Sequence, residues 1–247
     1  MKGIYRAARF PRGCRYSAIC LFVVAGIASL LLVQWVHAQL LTIEDWASNP
    51  VNAKGVPTGW RKLPDALPFL ERQAMRLIPA NYDFEVVANT SAKVLHLKSA
   101  DDHSIIVKDL SGLNLARTPL LEWKWRADVL PHDANLSRND TSDSAAEIHI
   151  VWRASKRTIG YAWDETLPVD YYFANPRRPE VHFVIVTSGK ARPGEWVPVT
   201  RDILSDHRKI YGTEPSEPPD QIAISVDSNQ TRSKAESFIG TIAFRAR

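Results

Sequence analysis

Leu120-Leu121-Glu122-Trp123-Lys124-Trp125-Arg126 alternates without a break. Leu121, Trp123 and Trp125 fall on one side of an extended chain, and Glu122, Lys124 and Arg126 on the other, because successive side chains of a strand change face. This reads as a half-buried strand, and the rest of the chain is expected to pack around its two tryptophans. Further along, Glu147-Ile148-His149-Ile150-Val151-Trp152-Arg153 repeats the pattern. Ile148, Ile150 and Trp152 share one face, and Glu147, His149, Val151 and Arg153 the other.

Shorter runs at 84–87, 94–99, 104–108, 158–163, 181–186, 194–199, 221–226 and 238–245 bring the count to about ten strands, most with turn signals between them. Residues 181–186 are apolar on both sides and read as central. Residues 194–199 read as an edge strand, since Pro198 cannot donate to a ladder. Helical spacing recurs only at Ala66, Leu67, Leu70, Ala74 and Leu77, bounded by Pro64, Pro68 and Pro79, and reads as a short amphipathic helix covering a sheet end. Residues 200–211 read as a short helix or turns. Strands do not alternate with helices, so nothing argues for a parallel sheet. The expected fold is all-β: a two-sheet antiparallel β-sandwich of jelly-roll type with one short N-terminal helix.

The chain opens with Lys2, Arg6, Arg9, Arg12 and Arg15, then an apolar run over 17–33, then Val36-His37-Ala38. That is the order of a secretory signal peptide with cleavage before Gln39. The run also approaches the ~20 residues that span a bilayer, so an uncleaved anchor helix is the alternative. Residues 1–38 are therefore read as signal peptide or membrane anchor, 39–55 as a lead-in, and 56–247 as the sandwich domain. The expected location is exported: periplasmic, or tethered to the inner membrane through the N-terminal segment alone.

Five of the 31 Lys and Arg precede residue 39 and no Asp or Glu does, which leaves 26 basic against 27 acidic residues beyond it. The basic pI belongs to the targeting segment, and no charge footprint for nucleic acid remains. Both cysteines, Cys14 and Cys20, lie there too. The rest of the chain has no disulfide, thiolate metal site or cysteine nucleophile.

The polar face of 120–126 set beside that of 147–153 would place Glu122, Lys124, Arg126, Glu147 and His149 together. With Tyr161 and Trp163 near, this is the chemistry of a sugar site: charged groups bond hydroxyls and aromatic rings cover the apolar side of the sugar. The plain alternative is a solvated sheet face with cross-strand ion pairs. Glu147 and His149, two apart on a strand, also form a candidate general acid/base pair. His149, His182 and Glu147 hold zinc-type donors without ligand spacing. Asp140, Asp143, Asp227 and Asn229 carry the hard oxygens that suit calcium, and equally the side chains that any turn uses. No other cofactor is expected. There is no glycine-rich phosphate loop and no Gly-x-Ser-x-Gly elbow.

Several pieces coincide with one known family: Pro57-Thr58-Gly59-Trp60, Pro119 through Arg126, Asp143-Ser144-Ala145-Ala146, Tyr161-Ala162-Trp163, Ser188-Gly189 with Gly194-Glu195-Trp196, and Asp227 through Thr231. On these the chain resembles an uncharacterised bacterial family of exported proteins, a domain of unknown function. The resemblance implies a β-sandwich similar to carbohydrate-binding jelly rolls and no established activity. The chain departs from the family pattern at Glu147, where an arginine is usual, at His149, where an aromatic is usual, and at Asn229, where a second aspartate is usual. Residues 65–79 resemble an insertion. The expected function is a non-catalytic ligand-binding module of the cell envelope, with a glycan or another envelope component as partner. The alternatives are an enzyme acting on polysaccharide through Glu147 and His149, and a structural envelope protein with a protein partner.

Overall fold

The computed structural model describes residues 40–67, 69–90 and 92–247. The segment read as signal peptide or anchor lies outside them. In chain order the described elements are β1 (Leu40–Glu44), β2 (Ala53–Lys54), β3 (Arg61–Lys62), α1 (Leu63–Ala66), α2 (Phe69–Met75), β4 (Asp83–Asn89), β5 (Ala92–Ala100), β6 (His103–Asp109), β7 (Leu120–Val129), β8 (Ser144–Trp152), β9 (Arg157–Asp164), β10 (Tyr172–Asn175), β11 (Arg178–Ser188), β12 (Val197–Asp202), α3 (Ile203–Tyr211), β13 (Gln221–Asp227), β14 (Lys234–Ile239) and β15 (Ile242–Arg245).

Two sheets form the sandwich. The first runs β1-β15-β7-β14-β5-β4-β2, with β12 on the other side of β7. Its pairs are all antiparallel. The second runs β10-β11-β9-β8-β13-β6-β3. The expected alternation holds in β7: Leu121, Trp123, Trp125 and Ala127 are buried, and the residues between them are more open. In β8, Ile148, Ile150 and Trp152 face the same core. The layers meet where the opening stretch placed them. The Trp123 ring lies 5.7 Å from that of Tyr161, and the Trp125 ring 6.1 Å from that of Trp163.

Three expectations change. The second sheet is mixed, because β11 runs parallel to β9. No crossover helix is needed: β10 takes the far side of β11 and turns back into the gap beside β9. The helix expected over 63–79 is two short pieces, α1 and α2. Leu67 is extended, at φ −95° and ψ 157°, as the residue before a proline prefers to be. The lead-in is part of the domain: β1 pairs with β15, and Trp46 is fully buried against Trp60 at 5.8 Å. Residues 200–211 resolve into the end of β12 and α3. Asp202 caps α3 by accepting from Ser205 N at 3.0 Å, and Gly212 ends it at φ 76°.

Candidate functional site

The outer face of the first sheet is built by the outward residues of β7 and its neighbours. Arg126, Phe238 and His96 lie opposite one another on β7, β14 and β5. Trp196, just before β12, completes the row. The Arg126 guanidinium carbon is 3.8 Å from the Phe238 centroid and 5.6 Å from that of Trp196. The His96 ring stacks on Phe238 at 4.1 Å, 8° from parallel. Two groups this close to one centroid cannot share a face, so Phe238 is clamped between Arg126 and His96. The row therefore stands on edge and presents polar rims, with Trp196 half-buried at its end.

The carboxylates on this face serve their neighbours. Asp128 pairs with Arg126 at 2.9 Å, Glu236 with His96 at 2.7 Å, and Glu122 with Arg245 at 2.6 Å. Among the described residues Lys124 has no such partner, and its ammonium sits 5.3 Å from the Trp196 centroid. Gly240 shapes its path: a Cβ there would come within 2.9 Å of Lys124 Cγ and 3.1 Å of Cε. One step along the strands, the face opens into a cleft of about 630 Å³, lined by Lys54, Asp83, Lys98, Val129, Lys234 and Glu236 among others.

The outer face of the second sheet is different. Glu147 and His149 of β8 lie beside Ser225 of β13 and opposite Ala162 and Gly160 of β9. His149 Nε2 is 2.8 Å from Glu147 Oε2 and 3.0 Å from Ser225 Oγ, and Ser225 donates to the same Glu147 oxygen at 2.6 Å. Glu147 is 6% exposed and His149 7%. Burial pushes the Glu147 carboxyl up, but the His149 hydrogen bond and charge, with the Ser225 hydrogen bond, outweigh it and hold it below the usual range. The pair can share a proton, but the protein itself supplies the partners of both groups.

This face is also roofed. Leu136, from the loop after β7, packs with Ala162, Phe183 and Ile185. At the tip of the β10–β11 hairpin, Arg177 Nη2 donates to the Asn139 carbonyl, and Arg178 Nη2 reaches Met75 Sδ of α2 at 3.7 Å. Gly160 makes room beneath: a Cβ would meet Phe183 Cε1 at 2.7 Å and His149 Nδ1 at 2.9 Å. Gly160→Ala is expected to cost about 1–3 kcal/mol through overpacking. Thermal unfolding checks this, and an unchanged midpoint would mean that the two rings are not seated against the strand.

At the end of the same strands, Asp143 and Asp227 share a hydrogen bond. Asp143 also accepts from Gln230 N at 3.1 Å, and from Thr231 N and Oγ1 at 2.7 Å each. Asp227, whose carboxylate takes one backbone donor, Asn229 N at 3.2 Å, is the partner that keeps a proton. Burial, then the charges of Asp143 and Glu147, push Asp227 up to about 9.

The structure separates what the alternation pattern had joined. Glu122, Lys124 and Arg126 lie on one sheet, Glu147 and His149 on the other, facing outward on opposite sides of the sandwich. Tyr161 and Trp163 are core residues, at 0% and 2% exposure. The Tyr161 hydroxyl donates to Asp206 at 3.0 Å, and Trp163 Nε1 to the Gly189 carbonyl at 2.9 Å. Neither ring can cover a sugar. His182 pairs in register with the core residue Ile159 and packs on Tyr211 at 5.1 Å, away from Glu147 and His149. Of the calcium candidates, Asp140 is exposed and paired with Arg138 at 2.9 Å, apart from Asp143 and Asp227. Asn229 N donates to Asp227 Oδ1 at 3.2 Å, as in an ordinary turn. Among the described residues, no three His, Cys, Asp or Glu form a metal-holding group. Sequence reasoning missed Trp196, Phe238, His96 and Ser225. His96 sits between Leu95 and Leu97, and Phe238 between Ser237 and Ile239; only pairing in register shows that they share an outward row with Arg126.

A sequence profile described as "Protein of unknown function (DUF3047)" matches residues 69–243. No curated protein matches the chain. Among solved structures, it is similar to a family 11 carbohydrate-binding module from Clostridium thermocellum in complex with a β-1,3-1,4-mixed-linked tetrasaccharide. Identity is 8%, TM-score 0.40, and coverage 84% of this chain and 96% of that one. The xyloglucanase domain of NopAA, a type three effector from Sinorhizobium fredii, gives 9%, 0.41, 79% and 96%. The K2 cleaved adhesin domain of Lys-gingipain gives 10%, 0.38, 83% and 98%. Likenesses at these values carry no argument about ligand or activity.

Proposed function

The chain belongs to the DUF3047 family of proteins of unknown function, and we propose that it is an exported, non-catalytic module that binds a glycan on the outer face of the first sheet, the export read from its N-terminal sequence and the binding face from its geometry. One observation carries the reading. The rims of Arg126 and His96, with Lys124 and a half-buried Trp196, stand on an open face that leads into a cleft. Rims of this kind offer hydrogen bonds to hydroxyls, and an indole offers an apolar surface to a sugar ring. Binding here asks for no movement of the protein, whereas the second sheet's polar groups lie under a roof.

The test is thermal unfolding of the protein against a panel of bacterial envelope and plant polysaccharide fragments. A ligand at 100 times its dissociation constant adds about 2.7 kcal/mol, roughly 5–10 °C for a domain of this size. One glycan class is expected to give that shift, and the combined Lys124→Ala, Arg126→Ala and Trp196→Ala variant is expected to fold and lose it. A shift that persists in the variant would remove the site from this face. Oligosaccharide released by the parent and not by Glu147→Gln would instead favour an enzyme on the second sheet. No shift with any glycan would leave a protein partner as the better reading.

A further inference from the structure

We infer that the glycan this face selects is uncharged and extended, a chain of several sugar rings lying across the strands of the first sheet and not along them. The inference rests on the glycan reading above and adds the charge, the length and the direction of the ligand.

The charges of the face alternate. The cleft lining holds three lysines, Lys54, Lys98 and Lys234, and three carboxylates, Asp83, Asp102 and Glu236. Lys98 lies directly opposite Glu236 on β14 and Asp83 on β4, and Lys54 lies opposite Glu85. Further along, Arg126 pairs with Asp128 and Arg245 with Glu122. Lys124 faces Pro198 and lends its ammonium to the Trp196 ring. A carboxylate only accepts hydrogen bonds and an ammonium only donates them, whereas a hydroxyl does both. An acidic or an amino sugar would therefore set its charge beside a like charge as often as beside an opposite one. A ring that carries only hydroxyls meets donors and acceptors in turn and can satisfy both.

The direction follows from register. Phe238 is opposite both Arg126 and His96, His96 is opposite Glu85, and Glu85 is opposite Lys54. Trp196 precedes Val197, the partner of Trp125, and so extends the row beyond Arg126. The line crosses from the start of β12 through β7, β14, β5 and β4 to β2. At about 4.8 Å from strand to strand its length is roughly 24 Å, the reach of several linked rings. Along β7, from Glu122 to Asp128, the outward side chains are all charged, with no ring among them. The rings of Trp196, Phe238 and His96 succeed one another only across the strands. A sugar chain that follows these rings therefore runs across the sheet.

The experiment uses the full chain and neutral cello-, laminari-, manno- and xylo-oligosaccharides, each from disaccharide to hexasaccharide, with polygalacturonate and chitosan as acidic and basic polymers. Affinities are measured by titration at low and at physiological salt. At least one neutral series is expected to bind more tightly than either charged polymer. Its affinity is expected to rise at least about tenfold from disaccharide to hexasaccharide and to change less than about twofold with salt, since no ligand charge is there to be screened. The combined Lys54→Ala, Glu85→Ala variant removes the far end of the row from side chains outside the core. It is expected to unfold like the parent, to bind the disaccharide as before, and to lose the gain at the longest members. A charged polymer bound more tightly than every neutral series would overturn the inference while leaving the glycan reading standing. So would a hexasaccharide bound no better than the disaccharide, or a gain with length that survives in the variant. No binding to any neutral series would overturn it as well, and if the unfolding panel is silent too, the glycan reading falls with it.

Discussion

At pH 8, Asp227→Asn is expected to unfold at a higher temperature than the parent. Asp227 is held by burial and by the charges of Asp143 and Glu147 at a pKa of about 9, against an ordinary 3.8. Below the ordinary value both folded and unfolded chains carry the proton, and the stability this group contributes is fully present. Between the two values the folded chain keeps a proton that the unfolded chain has released. Stability then falls as pH rises, by up to about 1.36 kcal/mol per unit, until the folded pKa is passed. Asparagine resembles the protonated acid: its carbonyl can accept from Asn229 N, and its amide can donate to Asp143. The substitution keeps both hydrogen bonds and abolishes the titration. Relaxation around the site reduces the full span, so the expected gain at pH 8 is about 2–3 kcal/mol, or roughly 5–10 °C. At pH 4 the two proteins are expected to unfold together. The check is a pair of unfolding-temperature curves from pH 4 to 9. If they run parallel, Asp227 does not hold a proton in the folded protein.

The same pair of aspartates shows where the sequence stops being informative. The face of each residue along β7 and β8 is legible, because a period of two needs only neighbours in the chain. The partner strand is not. β7 and β8 follow one another, yet they lie in different sheets, and alternation carries no signal for the layer. Glu147 and His149 point outward as read, but the roof over them is made by Leu136, Arg177 and Arg178, from segments with no periodicity of their own. Asp143 and Asp227 are 84 positions apart and meet because β8 and β13 pair in register. No local pattern announces that pairing. A signal was present at β9 and went unused. Gly160 and Ala162 are small, while Ile159, Tyr161 and Trp163 are large, which marks the aromatic side as the packed one.

That unused signal separates two tryptophans, and substituting each in turn is expected to give opposite outcomes. Trp163→Ala is expected to destabilise the domain by about 3–5 kcal/mol, the usual cost of emptying a large buried site. The ring lies at the sheet interface against Trp125, and its Nε1 satisfies the Gly189 carbonyl. At roughly 2–4 °C per kcal/mol, the unfolding midpoint would drop by roughly 6–20 °C. Any loss of glycan binding in that variant would follow from unfolding and would return on cooling. Trp196→Ala removes a half-buried ring whose contacts are to Lys124 and Arg126. Cation–π contacts at open sites are worth about 0.5–1 kcal/mol each, so losing the two is expected to move the midpoint by no more than roughly 8 °C. Glycan affinity, by contrast, is expected to fall at all temperatures. Unfolding curves and binding titrations on both variants decide the matter. A stable Trp163→Ala protein that has lost binding, beside a Trp196→Ala protein that has kept it, would mean that the aromatic side of β9 faces the ligand and that the two sheets do not pack through Trp125 and Trp163.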